Sequence, residues 1–458
     1  MYIPRHGSHS GSGRGRGYRG RFNRPSGKIS WRKKPEVAEP PAPRLGSVLA
    51  TVEISDLVEG LREEDSKITD CRDLASYNWL NRKEPTILIP GKPPAWTPQP
   101  DRVKLREDDG EYFRDQNAAR YPSHPLQPAV EAILKQNPDF LTTDVDIVGC
   151  GSTLGNLLRF ARGTDRKFRM VLEAIGSTVF FVRRENSPTQ TISGVFGYGH
   201  TFPEANTTWE AEVKGSESHQ RIIQYSFGGM KCLVRFEADG YHRDLVSQTS
   251  GPEDISADRS VDQLLSVLNG STVSSHQPTE KNLTIESTGS YVPREAIFDL
   301  KTRTVWKKDK NIIGEELPRL WISQIPNLVL AFHRSGVFED IEKIDAREHI
   351  ASWEKQQKHD LSKFAALLRL LVAFARGQPE RFEVFYDGES GVLELREACD
   401  DVNKTLPEEV DDIWLLGAYD GFDRAVVKED AKEDADDWSD SDKDFTACSE
   451  ECGYCGHC

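Results

Sequence analysis

The sequence lacks any continuous apolar stretch of membrane-spanning length, which excludes a helical membrane span and any membrane partner held that way. It also lacks an apolar run in residues 1–24, "MYIPRHGSHSGSGRGRGYRGRFNR", so no secretory signal is expected there. Cysteine is thin in the body of the chain, where Cys71, Cys150 and Cys232 are dispersed, while Cys448, Cys452, Cys455 and Cys458 crowd the last residues. That distribution argues against a secreted disulfide scaffold. There is no internal repeat. These absences lead us to expect a soluble intracellular protein of the nucleus and/or cytoplasm.

A surplus of positive charge is missing as well. The formal net charge is −15, and a uniformly acidic surface repels phosphate, so a general polyanion binder is disfavoured. The charge is unevenly spread: the N-terminal arm through "SWRKKPE" is strongly basic and "KEDAKEDADDWSDSDKD" near the C-terminus strongly acidic. The acidic tail is a candidate contact for a protein partner. Its "DDWSD" formally matches the aspartate-rich signature of prenyl-diphosphate synthases, but those enzymes need long apolar helices, and this chain has only 3 methionines and little leucine-rich helix.

Residues 1–45, rich in Gly, Arg, Ser and Pro, cannot bury enough apolar surface to offset ordering entropy and are expected to be disordered. Within them "RGRGYRGRF" interleaves guanidinium groups with the stacking faces of Tyr18 and Phe22, a composition suited to loose contact with single-stranded RNA. A solubilising tail is the plainer alternative. Residues 65–425 read as one mixed domain, and 427–458 as an acidic tail ending in a Cys-rich segment.

Two hairpins are predicted in that domain. "FRMVLEAIGSTVFFVRRE" has two strand-like runs split by Gly176, and "RIIQYSFGGMKCLVRFEADGY" has two more split by Gly228 and Gly229. "LVLAFHR" and "FEVFYDG" read as strands flanking a helix in "HDLSKFAALLRLLVAFARG". Residues 242–290 are mostly polar and are expected to form a surface insertion carrying one helix, "VDQLLSVLNG".

The chemistry concentrates at two strand ends. Side chains alternate along a strand, so Glu237 and Asp239 in "FEADGY" share a face, as do Asp299 and Lys301 in "FDLKT". If those strands are adjacent, three carboxylates and an ammonium converge, an arrangement that a divalent cation would stabilise. Hard oxygen donors suit Mg²⁺ or Mn²⁺. By spacing alone, the plainer account is two ordinary strands whose acids face solvent. In the tail, "CSEECGYCGHC" brings Cys448, Cys452, Cys455, His457 and Cys458 into the spacing of one tetrahedral Zn²⁺ site, although C-x-x-C-x-x-C also occurs in iron–sulfur ligation.

The order of "CGSTLGNLL", "IGSTVFFVRRE", "GYGHTFPE", "FEADGY", "FDLKT" and "LWISQIPNLVLAFH" resembles the PD-(D/E)xK nuclease superfamily and, more closely, the DXO-type decapping nucleases. The resemblance implies an α+β fold around a mixed, largely antiparallel sheet of restriction-endonuclease-like type, flanked by helices. It implies metal ligands at Glu204, Glu237, Asp239 and Asp299, with Lys301 assisting the nucleophile and Gln324 along the RNA path. Three positions depart from the pattern. Pro203 is inserted before Glu204, so that Glu210 or Glu212 are alternatives to it. An aspartate stands at 299 in place of glutamate. Gly151 falls where the family's substrate-binding arginine is expected, leaving Arg159, Arg183 or Arg184 to supply that charge.

The function this implies is metal-dependent hydrolysis at an RNA 5′ end, as in decapping, pyrophosphohydrolase or 5′–3′ exoribonuclease action on single-stranded RNA. The rival is a catalytically inactive RNA-binding or scaffold protein that keeps the fold. A DNA-directed nuclease of the wider superfamily lacks a basic duplex-binding surface in this sequence.

Overall fold

In the computed structural model the strands fall in chain order as β1 (Val48–Glu53), β2 (Thr69–Leu80), β3 (Thr86–Gly91), β4 (Ala95–Trp96), β5 (Ile147–Cys150), β6 (Phe168–Ile175), β7 (Thr178–Arg183), β8 (Thr207–Thr208), β9 (Ser216–Phe227), β10 (Met230–Glu237), β11 (Gly240–Tyr241), β12 (Thr284–Gly289), β13 (Ile297–Thr304), β14 (Asn327–Arg334), β15 (Val337–Asp345), β16 (Phe382–Tyr386) and β17 (Val392–Glu397). The helices are α1 (Gln116–Arg120), α2 (Gln127–Gln136), α3 (Gly151–Ala161), α4 (Thr201–Asn206), α5 (Arg243–Thr249), α6 (Ile312–Ser323), α7 (Arg347–Gln356), α8 (Lys358–Gly377) and α9 (Glu408–Leu416). The structure describes residues 39–58, 62–164, 166–192, 195–249, 282–399 and 401–416. The predicted RNA-contacting segment of the arm, the helix "VDQLLSVLNG" and the five tail residues proposed for zinc lie outside the described residues.

An eleven-stranded sheet runs in the order β1-β17-β16-β6-β7-β5-β10-β9-β2-β3-β12. Most pairings are antiparallel, while β5 is parallel to both β7 and β10, and β12 is parallel to β3. Alternation decides what each face buries. Val148, Phe180, Ile222 and Leu233 pack with Val130 and Ile133 of α2 and Trp414 of α9. Their neighbours Ile147, Phe181, Ile223 and Val234 pack on the opposite face with Leu157 of α3 and Leu368 of α8. In α8, Leu361, Phe364, Leu368, Leu371 and Ala375 recur at helical spacing and are all buried, so a single stripe seats the helix.

Both predicted hairpins are present as β6–β7 and β9–β10. In the second, Phe227 pairs with Met230, leaving Gly228 and Gly229 as a two-residue loop with φ of 61° and 77°. A turn with both central residues at positive φ matches the strand twist, and glycine takes it without penalty.

A six-stranded sheet, β15-β14-β13-β11-β4-β8, carries the second acidic strand. Its β13 and β14 are parallel and joined by α6, a crossover unit. The condition that the strands bearing Glu237 and Asp299 be sheet neighbours is not met: β10 and β13 belong to different sheets. The chain passes from one sheet to the other between Glu237 and Gly240. The predicted polar insertion begins with α5, and its far end returns as β12 at the edge of the large sheet.

Candidate functional site: the junction between the two sheets

The passage from β10 to β11 fixes the first pair of acids. Ala238 is buried and its amide donates to the His219 carbonyl at 3.0 Å, so Glu237 and Asp239 flank it on the half-buried side. Immediately afterwards Gly240 pairs with Phe298 of β13. A Cβ at 240 would stand 2.4 Å from Phe298 Cζ and 2.8 Å from the Pro94 carbonyl oxygen, so only glycine lets the backbone approach. That approach carries Asp239 onto β13, where its Oδ2 accepts from the Leu300 backbone N–H at 2.6 Å. Asp239 thus sits beside the peptide linking the two halves of the Asp299-x-Lys301 pair.

A cavity of about 280 Å³ opens at this junction, lined among others by Pro94, Glu204, Glu217, His219, Glu237 and Asp239. Glu204 reaches it from α4. Glu217 is buried and held by Arg120, whose Nε donates to it at 2.6 Å. Glu237 accepts only a long bond, 3.3 Å, from Gln220 Nε2. Burial and the neighbouring Asp239 charge push the Glu237 carboxyl up to about 8. Burial likewise raises Asp239, opposed by the charges of Arg319 and Lys301 and by the Leu300 N–H. Two carboxylates one residue apart, each disfavoured as an anion, form a donor pair that a hard cation would relieve.

Asp299 and Lys301 lie on one face of β13 and are 1% and 4% exposed. The crossover helix α6 lays Arg319 directly on Asp299: Nη1 donates to Oδ1 at 2.7 Å, and Nη2 engages the other oxygen. Arg319 also reaches Glu316 at 3.2 Å, and Glu316 in turn accepts from Arg303 at 3.3 Å. Asp299 is therefore the end of a buried chain of alternating charges, and its oxygens are turned to a guanidinium. Among the described residues no group of three or more His, Cys, Asp or Glu side chains is placed to hold a metal ion. The four acids of the predicted ligand set are thus divided between two places. Glu237, Asp239 and Glu204 share a cavity, whereas Asp299 is taken by Arg319. The smaller donor set of Glu237 and Asp239 does fit a cation that keeps several waters and uses one or two carboxylates.

The remaining predicted residues are dispersed. Gln324 caps α6 in the left-handed region, φ 50°, and donates to the Trp321 carbonyl at 2.6 Å. Arg183 pairs with Glu185, and Arg184 pairs with Glu383 at 3.1 Å and Asp401 at 2.8 Å. None of these three lines the acidic cavity. Glu210 and Glu212, the alternatives to Glu204, clasp Lys92 at 2.6 and 3.0 Å. Against the effect of burial, hydrogen bonds from Lys92 and Tyr241 hold the Glu210 carboxyl down at about 2. Gly151 opens α3 as its first residue. Sequence reasoning missed Arg319, which lies 20 positions after its partner on a helix, with no local signal to mark it.

The two sheets, the flanking helices and the junction define an α+β fold of restriction-endonuclease-like type. The chain belongs to the family described as "Domain of unknown function (DUF8563)", whose model matches residues 57–414. Among solved structures it is similar to Scheffersomyces stipitis Rai1 in complex with (3′-NADP)⁺ and calcium ion, at 12% identity over 80% of this chain and 100% of that one, with a TM-score of 0.52. Scheffersomyces stipitis Rai1 alone matches at 12% identity over 82% and 99%, TM-score 0.50. Candida albicans Rai1 in complex with pU5-Mn²⁺ matches at 11% identity over 83% and 99%, TM-score 0.47. The resemblance to decapping nucleases read from the motifs thus extends to the fold. No curated protein matches the chain. Among the described residues no helix is long and apolar enough to cross a membrane.

Proposed function

We propose that the protein binds the 5′ end of single-stranded RNA at the sheet junction and hydrolyses a phosphodiester or cap pyrophosphate linkage there with Mg²⁺ or Mn²⁺. The observation that carries this reading is the Glu237–Asp239 pair, set on the wall of a cavity with Glu204 and disfavoured as two bare anions. The shared fold with Rai1, one of whose structures holds (3′-NADP)⁺ and calcium, supports the substrate and metal class. A cation bound there supplies charge stabilisation at the phosphate and acidifies an attacking water.

The chain's own residues divide the remaining work. Glu237 and Asp239 would hold the cation, with Glu204 facing them across the cavity. Lys301 and Arg319 favour the ionised form of Asp239, which is what a ligand must be. The Leu300 N–H orients its carboxylate. Asp299 acts through Arg319, as a positioning residue. The basic arm preceding residue 39 would add phosphate contacts, and the acidic tail would meet a protein partner.

The ion pair on Asp299, together with Gly151, favours a second reading, in which the fold binds RNA 5′ ends without cleaving them. One experiment separates the two. The full chain is incubated with 5′-triphosphate, 5′-monophosphate, methyl-capped and NAD-capped RNAs and Mn²⁺, beside Asp239→Ala and Lys301→Ala. Cleavage of at least one RNA that needs Mn²⁺ and is lost in both variants supports the hydrolase. Binding of all four without turnover supports the scaffold.

A further inference from the structure

Two parallel strands of the smaller sheet end side by side at the surface. Thr304, the last residue of β13, pairs with His333 of β14, so Trp306 and Arg334, which follow them, emerge next to one another at the carboxyl ends of the two strands. That end of parallel strands is where α/β sheets present their ligand-binding loops. Trp306 is 76% exposed, the most exposed aromatic side chain among the described residues. The Arg334 guanidinium lies over its ring, 5.0 Å from the centroid. A ring so exposed, with one face on a cation, keeps its other face open.

Arg334 pairs with Val337 of β15, and Val337 bridges to Lys104 on its other side. Directly paired residues share a face, so Trp306, Arg334 and Lys104 stand in a row across the end of the sheet. Arg334 and Lys104 are both exposed, and neither has a carboxylate partner among the described residues. The loop from β13 to α6 reads "VWKKDK", with three lysines against one aspartate. Lys308 is taken by Asp340 and by Glu342, the latter at 2.9 Å, whereas Lys310 is exposed at the end of the loop. An open ring face among cations reverses the sign of a chain whose net charge is −15 and suits a ligand that carries both flat rings and phosphates. Single-stranded RNA presents both at every nucleotide. Trp306 lies six residues beyond Leu300, whose amide holds Asp239, and so roughly 20 Å away at full extension. A strand of a few nucleotides whose 5′ end lies in the acidic cavity covers that span.

We propose that Trp306, backed by Arg334, is a stacking platform for a base of single-stranded RNA several nucleotides downstream of the 5′ end, with Lys104 and Lys310 contacting the neighbouring phosphates. The choice of RNA rests on the proposed function; the platform rests on the exposed ring and the cations around it. The contact is made to the face of a base and is therefore indifferent to which base it is. It gives the protein a preference for RNAs long enough to reach from the cavity to the strand ends, whatever group the 5′ end carries.

The test measures binding of 5′-phosphorylated diuridine and decauridine, labelled at the 3′ end, to the full chain in EDTA by fluorescence anisotropy. Trp306→Ala is expected to weaken decauridine binding by about tenfold, within the range for the loss of one base–aromatic stack, and to leave diuridine within about twofold of the wild type. Trp306→Phe should recover most of the loss, and decaadenosine should lose as much as decauridine. Lys104→Gln with Lys310→Gln should lower the salt dependence of decauridine binding, which Trp306→Ala leaves unchanged. Circular dichroism and the melting temperature establish that each variant is folded. Decauridine affinity that is unchanged in Trp306→Ala, or a loss that is equal for diuridine, overturns the proposal. So does Trp306-dependent binding to vesicles of phosphatidylserine and phosphatidylcholine with decauridine affinity unchanged, which would assign the patch to a lipid surface. A wild type that shows the Trp306-dependent length preference yet cleaves no RNA keeps the platform while the hydrolase reading falls. A wild type that cleaves RNA, with Trp306→Ala binding decauridine as tightly, does the reverse.

Discussion

Arg319 on α6 and Asp299 on β13 form a buried ion pair, Nη1 to Oδ1 at 2.7 Å, with side-chain exposures of 6% and 1%. The pair sits one residue from the backbone amide that holds Asp239, so a fixed cation of the protein favours the ionised form of Asp239.

Removing half of such a pair strands the other charge. Arg319→Gln is expected to destabilise the fold by about 3–5 kcal/mol, read by urea denaturation, and Asp299→Asn in the same chain should restore part of it. Freed of its guanidinium, Asp299 becomes available beside Asp239. Saturating Mn²⁺ should therefore raise the melting temperature of Arg319→Gln more than that of the wild type. Equal shifts in the two proteins would mean that Asp299 stays out of the cation's reach.

Glu237 sets a pH dependence. Its carboxyl is raised from 4.5 to about 8 in the fold, by burial first and by Asp239 second. Between those values the folded chain holds a proton that the unfolded chain has released, so this contribution is full below the lower value and is lost as pH rises through the upper one. In EDTA the melting temperature should fall by a few degrees from pH 5 to pH 8, and Glu237→Gln should flatten that slope. A slope unchanged by the substitution would show that Glu237 is already ionised.

Arg184 reads as a structural residue. It shares Glu383 with Arg169, whose Nε and Nη2 reach the two Glu383 oxygens at 2.6 and 2.7 Å. Arg184→Gln is expected to lower stability and to leave RNA affinity within about twofold of the wild type. A large loss of affinity in the folded variant would restore Arg184 as a substrate-binding residue.

The arm is tested by truncation, and the structure says where to cut. The carbonyls of Pro40, Pro43 and Arg44 accept from Asn186 and Arg169, so residues 40–44 are fastened to the domain. Deleting residues 1–38 should weaken RNA binding more at low salt than at high salt, as phosphate neutralisation requires. Deletion through residue 45 should in addition lower the melting temperature. Equal affinity at low salt after the shorter cut removes the arm from RNA binding.

The hairpins were legible because glycine pairs and period-2 alternation are local signals, and α8 was legible from one apolar stripe ending at Gly377. Glu237 was legible as a strand end, whereas Asp299 and Lys301, read the same way, lie inside a strand that runs on to Thr304. The partition of the acids was not legible, because nothing near Glu237 or Asp299 reveals that the chain changes sheets at Gly240. Gly240 itself looks like an ordinary turn residue in "ADGY"; its role follows from Phe298, far along the chain. The Arg319 contact depends on the crossover between β13 and β14, a pairing that sequence order leaves open. The same holds for Arg184, whose partners lie about two hundred residues away.

The measurement closest to the centre of this account is a calorimetric titration of the metal-free protein with Mn²⁺, repeated on Glu237→Gln and Asp239→Asn. The account predicts saturable binding to the wild type and a loss of at least tenfold in affinity in each variant, since each removes one of two anionic ligands. Wild-type protein that takes up no Mn²⁺, or variants that bind it as tightly as the wild type, would contradict it.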